Sequence, residues 1–375
     1  MKKRYIMKQW IYIMAIFAVQ ALTMQSCKEE VPEASKPVEL HSRVSPQGEA
    51  AKAVLYFWDS NTFQNNWLKG GGTDASPIFG PVSLQNEIDY YRHDGGRVLT
   101  VGMEYPSDER EYIYATGYAP EDALSISSDY KTLTVRDGYK DGKTDFLCCD
   151  GNENHKGSAN DPFIEKDHEL KFRHMTPRIR FVGKRDPVTY GVISVNNVKV
   201  TLHDAENSLS VPRSFVYYRS NENDWQTYVA QDFQPITEPI TLEQETTNYI
   251  PANDNGLSLA SCYVFHGDLP DDYNPFADAP AGSGTETVTL TMDIEADYSW
   301  YNDGNPIRFE SPRWEKKTVE VRLEHGGNCF YPGYEYVVYI TFKRESVILQ
   351  GVQQNWDDGG IHYLPVAPRD NNNNY

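Results

Sequence analysis

The side chains best suited to chemistry in this sequence are its five cysteines, because a thiol can carry a lipid, form a disulfide or bind a metal. Cys148 and Cys149 are adjacent, whereas Cys262 and Cys329 stand alone. Adjacent cysteines rarely bond each other, but either could pair with one of the isolated two. None of the four shows the C-x-x-C spacing of a zinc site. We expect buried, small apolar residues, and the sequence leaves open whether one disulfide joins two of them.

Cys27 differs from the other cysteines because it follows a charged and then an apolar stretch. Residues 1–8 carry four cations and no acid, and residues 10–19 are almost wholly apolar. This pattern is typical of a signal peptide, here residues 1–26, and is too short for the roughly 20 residues of a permanent span. Ser26–Cys27 resembles a lipoprotein cleavage site. We therefore predict lipidation of Cys27 with palmitate-type chains, and the alternative is a plain secretory signal cut elsewhere.

One loop has the beginning of a calcium motif. Asp150–Asn154 starts with D-x-N-x-N, and Asp161 falls at the twelfth position, where a ligand is needed. However, His155 occupies the sixth position, which requires glycine for the sharp turn. A solvated loop explains the pattern better, and we predict no metal site.

The residues that could support catalysis lack the required surroundings. Gly282–Ser283–Gly284 lies in a Pro/Ala/Gly-rich loop and not between a strand and a helix. Carboxylate pairs such as Asp271–Asp272 arise by chance in a chain this acidic. His174 has no carboxylate or cysteine at ligand spacing, so we expect a packed, hydrogen-bonded histidine. We predict a protein that is not an enzyme and has no cofactor.

The net charge of the chain limits the kinds of partner that it can bind. The formal net charge is −19, and removal of the four cations of residues 1–26 makes it −23. Such a surface repels phosphate backbones and anionic headgroups. We therefore predict that the protein does not bind nucleic acid. Any membrane attachment has to come from the lipid on Cys27.

The elements that position these residues are predicted to be strands. The sequence has no long 3.6-residue apolar period, and alternating or continuous apolar runs are separated by Gly, Pro, Asn and Asp. Glu121–Leu124, after Pro120, predicts one short helical turn. The predicted strands are Pro37–Val44, Lys52–Trp58, Arg97–Met103, Glu111–Gly117, Thr132–Val135, Glu169–Met175, Arg178–Val182, Val192–Leu202, Ser214–Tyr218, Leu259–His266, Thr287–Ala296, Thr318–Leu323, Tyr334–Lys343 and Ser346–Gln354. The sequence therefore predicts an all-β protein.

About 350 residues after the signal are enough for two domains. Charge and proline interrupt the strand pattern near Gly183–Pro187, which we take as the boundary. The predicted organisation is a signal peptide (1–26), a lipidated tether (27–36), an N-terminal β-sandwich (37–184), a C-terminal β-sandwich (185–368) and a disordered, asparagine-rich tail (369–375).

Several short motifs, in order, resemble the fimbrillin family of Bacteroidales type V pilus subunits. Glu169–Phe181 resembles the family's L-x-F-x-H, turn and second apolar strand. Phe330–Ile340 resembles its aromatic-P-G-x-x-Y entry into a late strand, and Asn355–Gly360 its tryptophan-acid-glycine ending. Gly117–Pro120 also lies in the expected order. The resemblance covers most of the chain after the signal.

This resemblance implies two tandem transthyretin-like Greek-key β-sandwich domains in a surface-exposed lipoprotein of the outer membrane. It also implies that an arginine-specific protease removes the first strand, and that a strand of a neighbouring subunit fills the emptied groove. The candidate plug strand contains Val38, Leu40 and Ser42, with cleavage after Arg43. The expected partners are other fimbrial subunits and a host or bacterial surface receptor.

The donor strand should lie near the other end of the chain. The candidate residues are Ile361, Tyr363 and Val366, and Pro365 weakens the candidate because it removes one ladder hydrogen bond. Without donation, the chain would be a tip or anchor subunit and not a stalk unit. The alternative to cleavage after Arg43 is a first strand that is never cut, in a subunit that stays at the cell surface as an anchor.

A second class of function also stays open. Aromatic residues near predicted loops could form a glycan-stacking platform on a surface lipoprotein. These residues are Trp225, Trp300, Tyr301 and Trp314. Burial of the same tryptophans in the core is the competing interpretation.

Overall fold

The computed structural model describes most of the chain between Lys36 and Trp356. The described ranges are 36–40, 42–43, 52–59, 76–84, 99–108, 111–149, 156–163, 170–186, 192–204, 208–219, 226–246, 248–252, 255–267, 286–302, 305–324, 329–343 and 346–356. They form strands and turns without any helix, so the predicted all-β class is confirmed. No described segment is helical, long and apolar enough to cross a bilayer.

The strands alternate with short turns along the whole described chain. They are β1 (Pro37–Leu40), β2 (Ser42–Arg43), β3 (Ala53–Asp59), β4 (Phe79–Leu84), β5 (Leu99–Glu104), β6 (Ile113–Ala119), β7 (Leu124–Ile126), β8 (Thr132–Val135), β9 (Leu147–Cys149), β10 (Lys156–Gly157), β11 (Leu170–Lys171), β12 (Arg173–His174), β13 (Arg178–Arg185), β14 (Val192–His203), β15 (Leu209–Arg219), β16 (Gln226–Pro235), β17 (Ile240–Glu243), β18 (Leu257–Cys262), β19 (Phe265–His266), β20 (Thr287–Asn302), β21 (Asn305–Glu310), β22 (Arg313–Arg322), β23 (Tyr334–Phe342) and β24 (Val347–Asn355).

A six-stranded sheet forms the centre of the N-terminal part. Its order is β12-β9-β6-β3-β4, with β10 also paired to β6. β3 is nearly continuous apolar sequence, and all but its last residue are buried. Because successive side chains of a strand point to opposite faces, the two faces of β3 contribute to two separate cores. Both faces of β3 are therefore buried.

The second face of this sheet packs on a five-stranded sheet. That sheet has the order β16-β15-β8-β7, with β19 also paired to β15. Trp58 and Tyr56 of the first sheet share a core with Phe215 and Tyr228 of the second. Inside this core the indole Nε1 of Trp58 donates to the hydroxyl of Thr116 at 2.9 Å. The buried indole is thereby satisfied.

A nine-stranded mixed sheet forms the rest. Its order is β17-β14-β20-β22-β24-β23-β13-β18, with β21 also paired to β20. β13 runs parallel to β23, and β22 runs parallel to β24. Leu209 and Val211, at the start of β15, belong to the core of this sheet, whereas Phe215 of the same strand belongs to the core beside Trp58. β15 therefore contributes to two cores.

Strand pairing crosses the position at which the domain boundary is predicted. β15 pairs with β8, Phe215 standing opposite Leu133, and β13 pairs with β23. The division into residues 37–184 and 185–368, and the tandem transthyretin-like arrangement, stay predictions.

The turn predicted at Glu121–Leu124 is present as a single hydrogen-bonded turn, which ends at Ala123, one residue earlier than predicted. The amide of Ala123 donates to the carbonyl of Pro120 at 3.3 Å, which closes a single turn, and β7 begins at Leu124. Leu124 is fully buried in the core shared with Trp58. Pairing with β8 therefore prevails over the local helical preference.

Candidate functional site

The first two strands of the described chain, β1 and β2, pair with two strands that do not pair with each other. β1 is antiparallel to β5, with Glu39 opposite Thr100 and Leu40 opposite Leu99. β2, two residues further on, is parallel to β11. Among the described residues, β5 and β11 have no strand partner other than this segment. We call β1 and β2 together the first strand.

Val38 fixes the first strand to the core beneath it. Its side chain is fully buried and packs in the same cluster as Tyr105, Phe163 and Leu170. Full burial of a valine stabilises by roughly 1.5–3 kcal/mol relative to exposure. The first strand therefore closes an apolar groove as well as two backbone edges.

Backbone bonds hold the beginning of the first strand. The amide of Tyr105 donates to the carbonyl of Lys36 at 3.0 Å, and Lys36 Nζ donates to the carbonyl of Ala159 at 3.0 Å. Below them the hydroxyl of Tyr105 accepts from the amide of Phe163 at 3.0 Å. One side chain that lines the groove, that of Tyr105, is thus itself held by a hydrogen bond.

The predicted cleavage point lies at the end of this element. Arg43 is the last residue of β2, and its backbone pairs with that of Lys171. The loop predicted at Ser45–Gly48 lies outside the described residues. Cleavage after Arg43 stays a prediction.

A buried ion pair lies where β13 meets β23. Arg180 donates to both carboxylate oxygens of Glu335, at 2.7 and 2.8 Å, and Arg178 Nη1 lies 3.3 Å from the same carboxylate. All three residues are buried. Gln354 of β24 also donates to Glu335, at 2.6 Å. The carboxylate is therefore bound from three sides.

The charge state of Glu335 follows from these contacts. Burial by itself raises the pKa of Glu335, but the hydrogen bonds and charges of Arg180 and Arg178 outweigh burial and hold the pKa below its usual value. Glu335 is therefore ionised, and two parallel hydrogen bonds fix the geometry of the pair.

Trp356, the last described residue, is anchored beside this ion pair. Its ring stacks on His174 with centroids 3.2 Å apart and on Tyr263 at 5.9 Å, and the Arg178 guanidinium lies 5.5 Å from the ring. Its amide donates to the carbonyl of Gly333 at 3.0 Å. The indole is 7% exposed. The chain therefore leaves the described part of the fold from a fixed point.

His174 is packed and hydrogen-bonded, as the sequence predicts. It is buried, and its Nδ1 lies 3.0 Å from Oδ1 of Asp145. His174 belongs to β12, three residues after Lys171 of β11. The anchor of Trp356 and the groove of the first strand thus share one short stretch of chain.

Several predicted residues lie outside the described part of the chain. They are Cys27 and the donor candidates Ile361, Tyr363 and Val366, together with Trp225 and the D-x-N-x-N segment at 150–154. Only the backbone is described for Leu40, Ser42, Trp300 and Tyr301. Where the chain is described, no group of three His, Cys, Asp or Glu side chains has the spacing to hold a metal.

The remaining candidate residues lie in the core of the protein. Trp314, considered above for a glycan platform, is buried and packs on Tyr298 and Phe342, with centroids 5.7 and 6.0 Å away. The prediction that Trp314 contributes to a glycan-stacking platform is therefore wrong. Cys148, Cys149, Cys262 and Cys329 are buried, as predicted.

The chain was compared with protein-family models, curated sequences and solved structures. No family model matches the chain, and no curated protein sequence matches it. A fimbrial protein from Bacteroides vulgatus is 14% identical, with a TM-score of 0.46, over 86% of this chain and 100% of its own. The tip fimbrial protein Mfa3 from Porphyromonas gingivalis, with a C-terminal truncation, is 10% identical, with a TM-score of 0.34, over 86% and 100% of the two chains. The chain is similar to fimbrial proteins of Bacteroidales.

The sequence did not indicate the role of Glu335. It lies in an apolar strand whose pattern predicts burial, and a lone acid there has no visible partner because Arg180 is 155 residues away. The signal that could have found it is the pair Arg178 and Arg180 on a strand otherwise made of core residues. Buried cations require a buried anion.

Proposed function

We propose that this protein is a structural subunit of a cell-surface fimbria, assembled by exchange of the first strand for a strand of a neighbouring subunit. The observation that carries the proposal is the position of the first strand between β5 and β11, which have no other strand partner in the described chain. Removal of Pro37–Arg43 would leave two open backbone edges and expose the pocket of Val38. Such a groove is the acceptor that β-strand addition requires.

The proposed donor is the segment around Ile361, Tyr363 and Val366. It follows Trp356 by a few residues, and Trp356 is stacked on His174, close in sequence to β11. A segment that leaves a rigid anchor loses less conformational freedom when a partner binds it. This supports donation from the C-terminal end, and it makes the subunit both donor and acceptor.

The proposed location is the outer face of the outer membrane, with attachment through lipid on Cys27. Removal of the four cations of residues 1–26 changes the formal net charge from −19 to −23, which gives no electrostatic attraction to anionic headgroups, so the proposed attachment depends on the lipid. Other fimbrial subunits are the proposed partners, with adhesion as the role of the polymer and no catalytic step.

The test uses an arginine-specific protease on the chain from Lys28 onward. Limited digestion should give a product that begins at Val44, and this product should form polymers that are visible by size-exclusion chromatography and electron microscopy. The matched control is Arg43→Lys, which keeps the charge but removes the cleavage site. We expect the control to stay whole and monomeric. A wild-type product that begins at Val44 and remains monomeric would refute strand exchange.

A further inference from the structure

A cleft with both apolar and polar lining lies on the nine-stranded sheet, away from the first strand. Its volume is about 700 Å³, within the range of small-molecule sites. β14, β20 and β21 form its floor, and the chain that leads into Ile250 forms one wall. The groove of the first strand contributes none of these elements, so the cleft is independent of the proposed assembly.

Two aromatic rings stand exposed at the cleft. Phe309 is 77% exposed and Tyr249 is 64% exposed, the two highest values among the large hydrophobic residues described. A single exposed ring is common on protein surfaces, but two rings that line the same cleft offer a ligand an apolar contact surface. The rings are therefore the first indication of a binding surface.

The segment that carries Tyr249 is fastened on both sides. The amide of Ile250 donates to the carbonyl of Val195 at 2.9 Å, and Gln244 Nε2 donates to the carbonyl of Asn248 at 2.7 Å. Phe309 stands on β21 directly opposite Ser299 of β20. Both rings are thus presented by fixed backbone, which reduces the entropy lost when a ligand binds.

The floor between the rings is polar and preorganised. Asp297 and Ser299 are two apart on β20 and therefore share a face. Asp297 accepts from Asn197 Nδ2 at 2.9 Å and from Ser311 Oγ at 2.7 Å, and these hydrogen bonds hold its pKa below the usual range. Each carboxylate oxygen can accept a further hydrogen bond. The cleft thus offers oriented acceptors beside apolar ring faces.

The charges of the cleft select against anions. Asp297 and Glu310 line it with one cation, Arg185, in a protein of net charge −19. Backbone recognition is also blocked at the floor, because Ser299 pairs with Ser194 on one side and Phe309 on the other. A ligand is therefore bound through side chains, and an anionic ligand is disfavoured.

We propose that this cleft binds a neutral carbohydrate, with sugar rings stacked on Phe309 and Tyr249 and hydroxyls hydrogen-bonded to Asp297 and its neighbours. A sugar ring has an apolar C–H face and a rim of hydroxyl donors. These two surfaces match the rings and the carboxylate of the cleft. The site does not depend on the fimbrial role and does not use the tryptophans considered from the sequence.

The test is isothermal titration calorimetry of the whole chain with neutral hexasaccharides of glucose, mannose and xylose, and with hexagalacturonate as the anionic probe. At least one neutral probe should bind. Phe309→Ala and Tyr249→Ala should each weaken binding about tenfold. Tyr249→Phe should retain most of the affinity, because it keeps the ring.

The matched control is Phe233→Ala, which removes an exposed ring from the five-stranded sheet and should leave binding unchanged. Asp297→Asn should weaken binding without loss of the fold. Absence of binding by all neutral probes overturns the proposal. Equal binding of hexagalacturonate, or insensitivity to both alanine variants, overturns it as well.

Discussion

Replacement of Val38 by alanine tests whether the first strand can open by itself. Two methyl groups are removed from a fully buried position. At roughly 0.8 kcal/mol for each, with a further contribution from the cavity, the first strand loses about 2 kcal/mol. If β1 leaves β5 in a local opening, that loss raises the open population about 30-fold. The amides of β5 should then exchange with solvent about 30-fold faster.

The assay is hydrogen exchange by mass spectrometry on the peptide Leu99–Tyr105. The matched control is Val54→Ala, at a valine that is 3% exposed on β3, a strand paired on both sides. The control should lower the free energy of global unfolding by a similar amount without a selective increase at β5. If both variants accelerate the β5 peptide equally, the first strand opens only with the whole domain, and the strand-exchange proposal loses its physical basis.

Three further predictions concern the rest of the fold. Glu335→Gln leaves the Arg180 guanidinium buried without its anion and should lower the free energy of unfolding by about 3 kcal/mol at pH 7 in a denaturant titration. Because the folded pKa of Glu335 is lowered, the wild type should lose this stabilisation as pH falls below about 4.5, whereas the variant should not. Gly117→Ala puts a Cβ 2.4 Å from a carbonyl oxygen of β3 and should lower the melting temperature by several degrees, whereas Gly102→Ala, with its nearest atom at 3.9 Å, should change it little. Burial raises the pKa of Cys262 to about 12, so iodoacetamide at pH 8 should label it only after unfolding, and rapid labelling of the native protein would contradict its burial.

The strand pattern was predictable at most of the long apolar runs, although the short, fully buried β9 was not predicted. The predicted strand at Val192–Leu202 corresponds to β14, and the one at Thr132–Val135 to β8. β16 and β17 were not predicted, because Gln226–Pro235 and Ile240–Glu243 alternate apolar residues with many polar ones and lack a continuous run. Edge and surface strands contain fewer apolar residues, so the apolar runs and alternation that predict a strand are weaker in them.

The pairing of the strands was not predictable. Arg178–Val182 alternates charged and apolar residues, yet both faces of the strand are buried in the structure over these residues. The reason is a partner distant in sequence, since β23 pairs along the whole of β13 and supplies Glu335. The groove of the first strand depends likewise on β5 and β11, which periodicity cannot assign as neighbours. Local patterns identify strands, whereas tertiary contacts choose their partners.

The position of β24 has a mechanical consequence. Its residues lie between β23, with which they pair from Val347 to Asn355, and β22, and the chain leaves from its end at Trp356. In the proposed fimbria, a pull along the axis of β24 would load its hydrogen bonds with β23 together and not in succession. A filament whose links leave from such a strand can resist sustained tension, as under flowing liquid, even though each hydrogen bond is weak by itself.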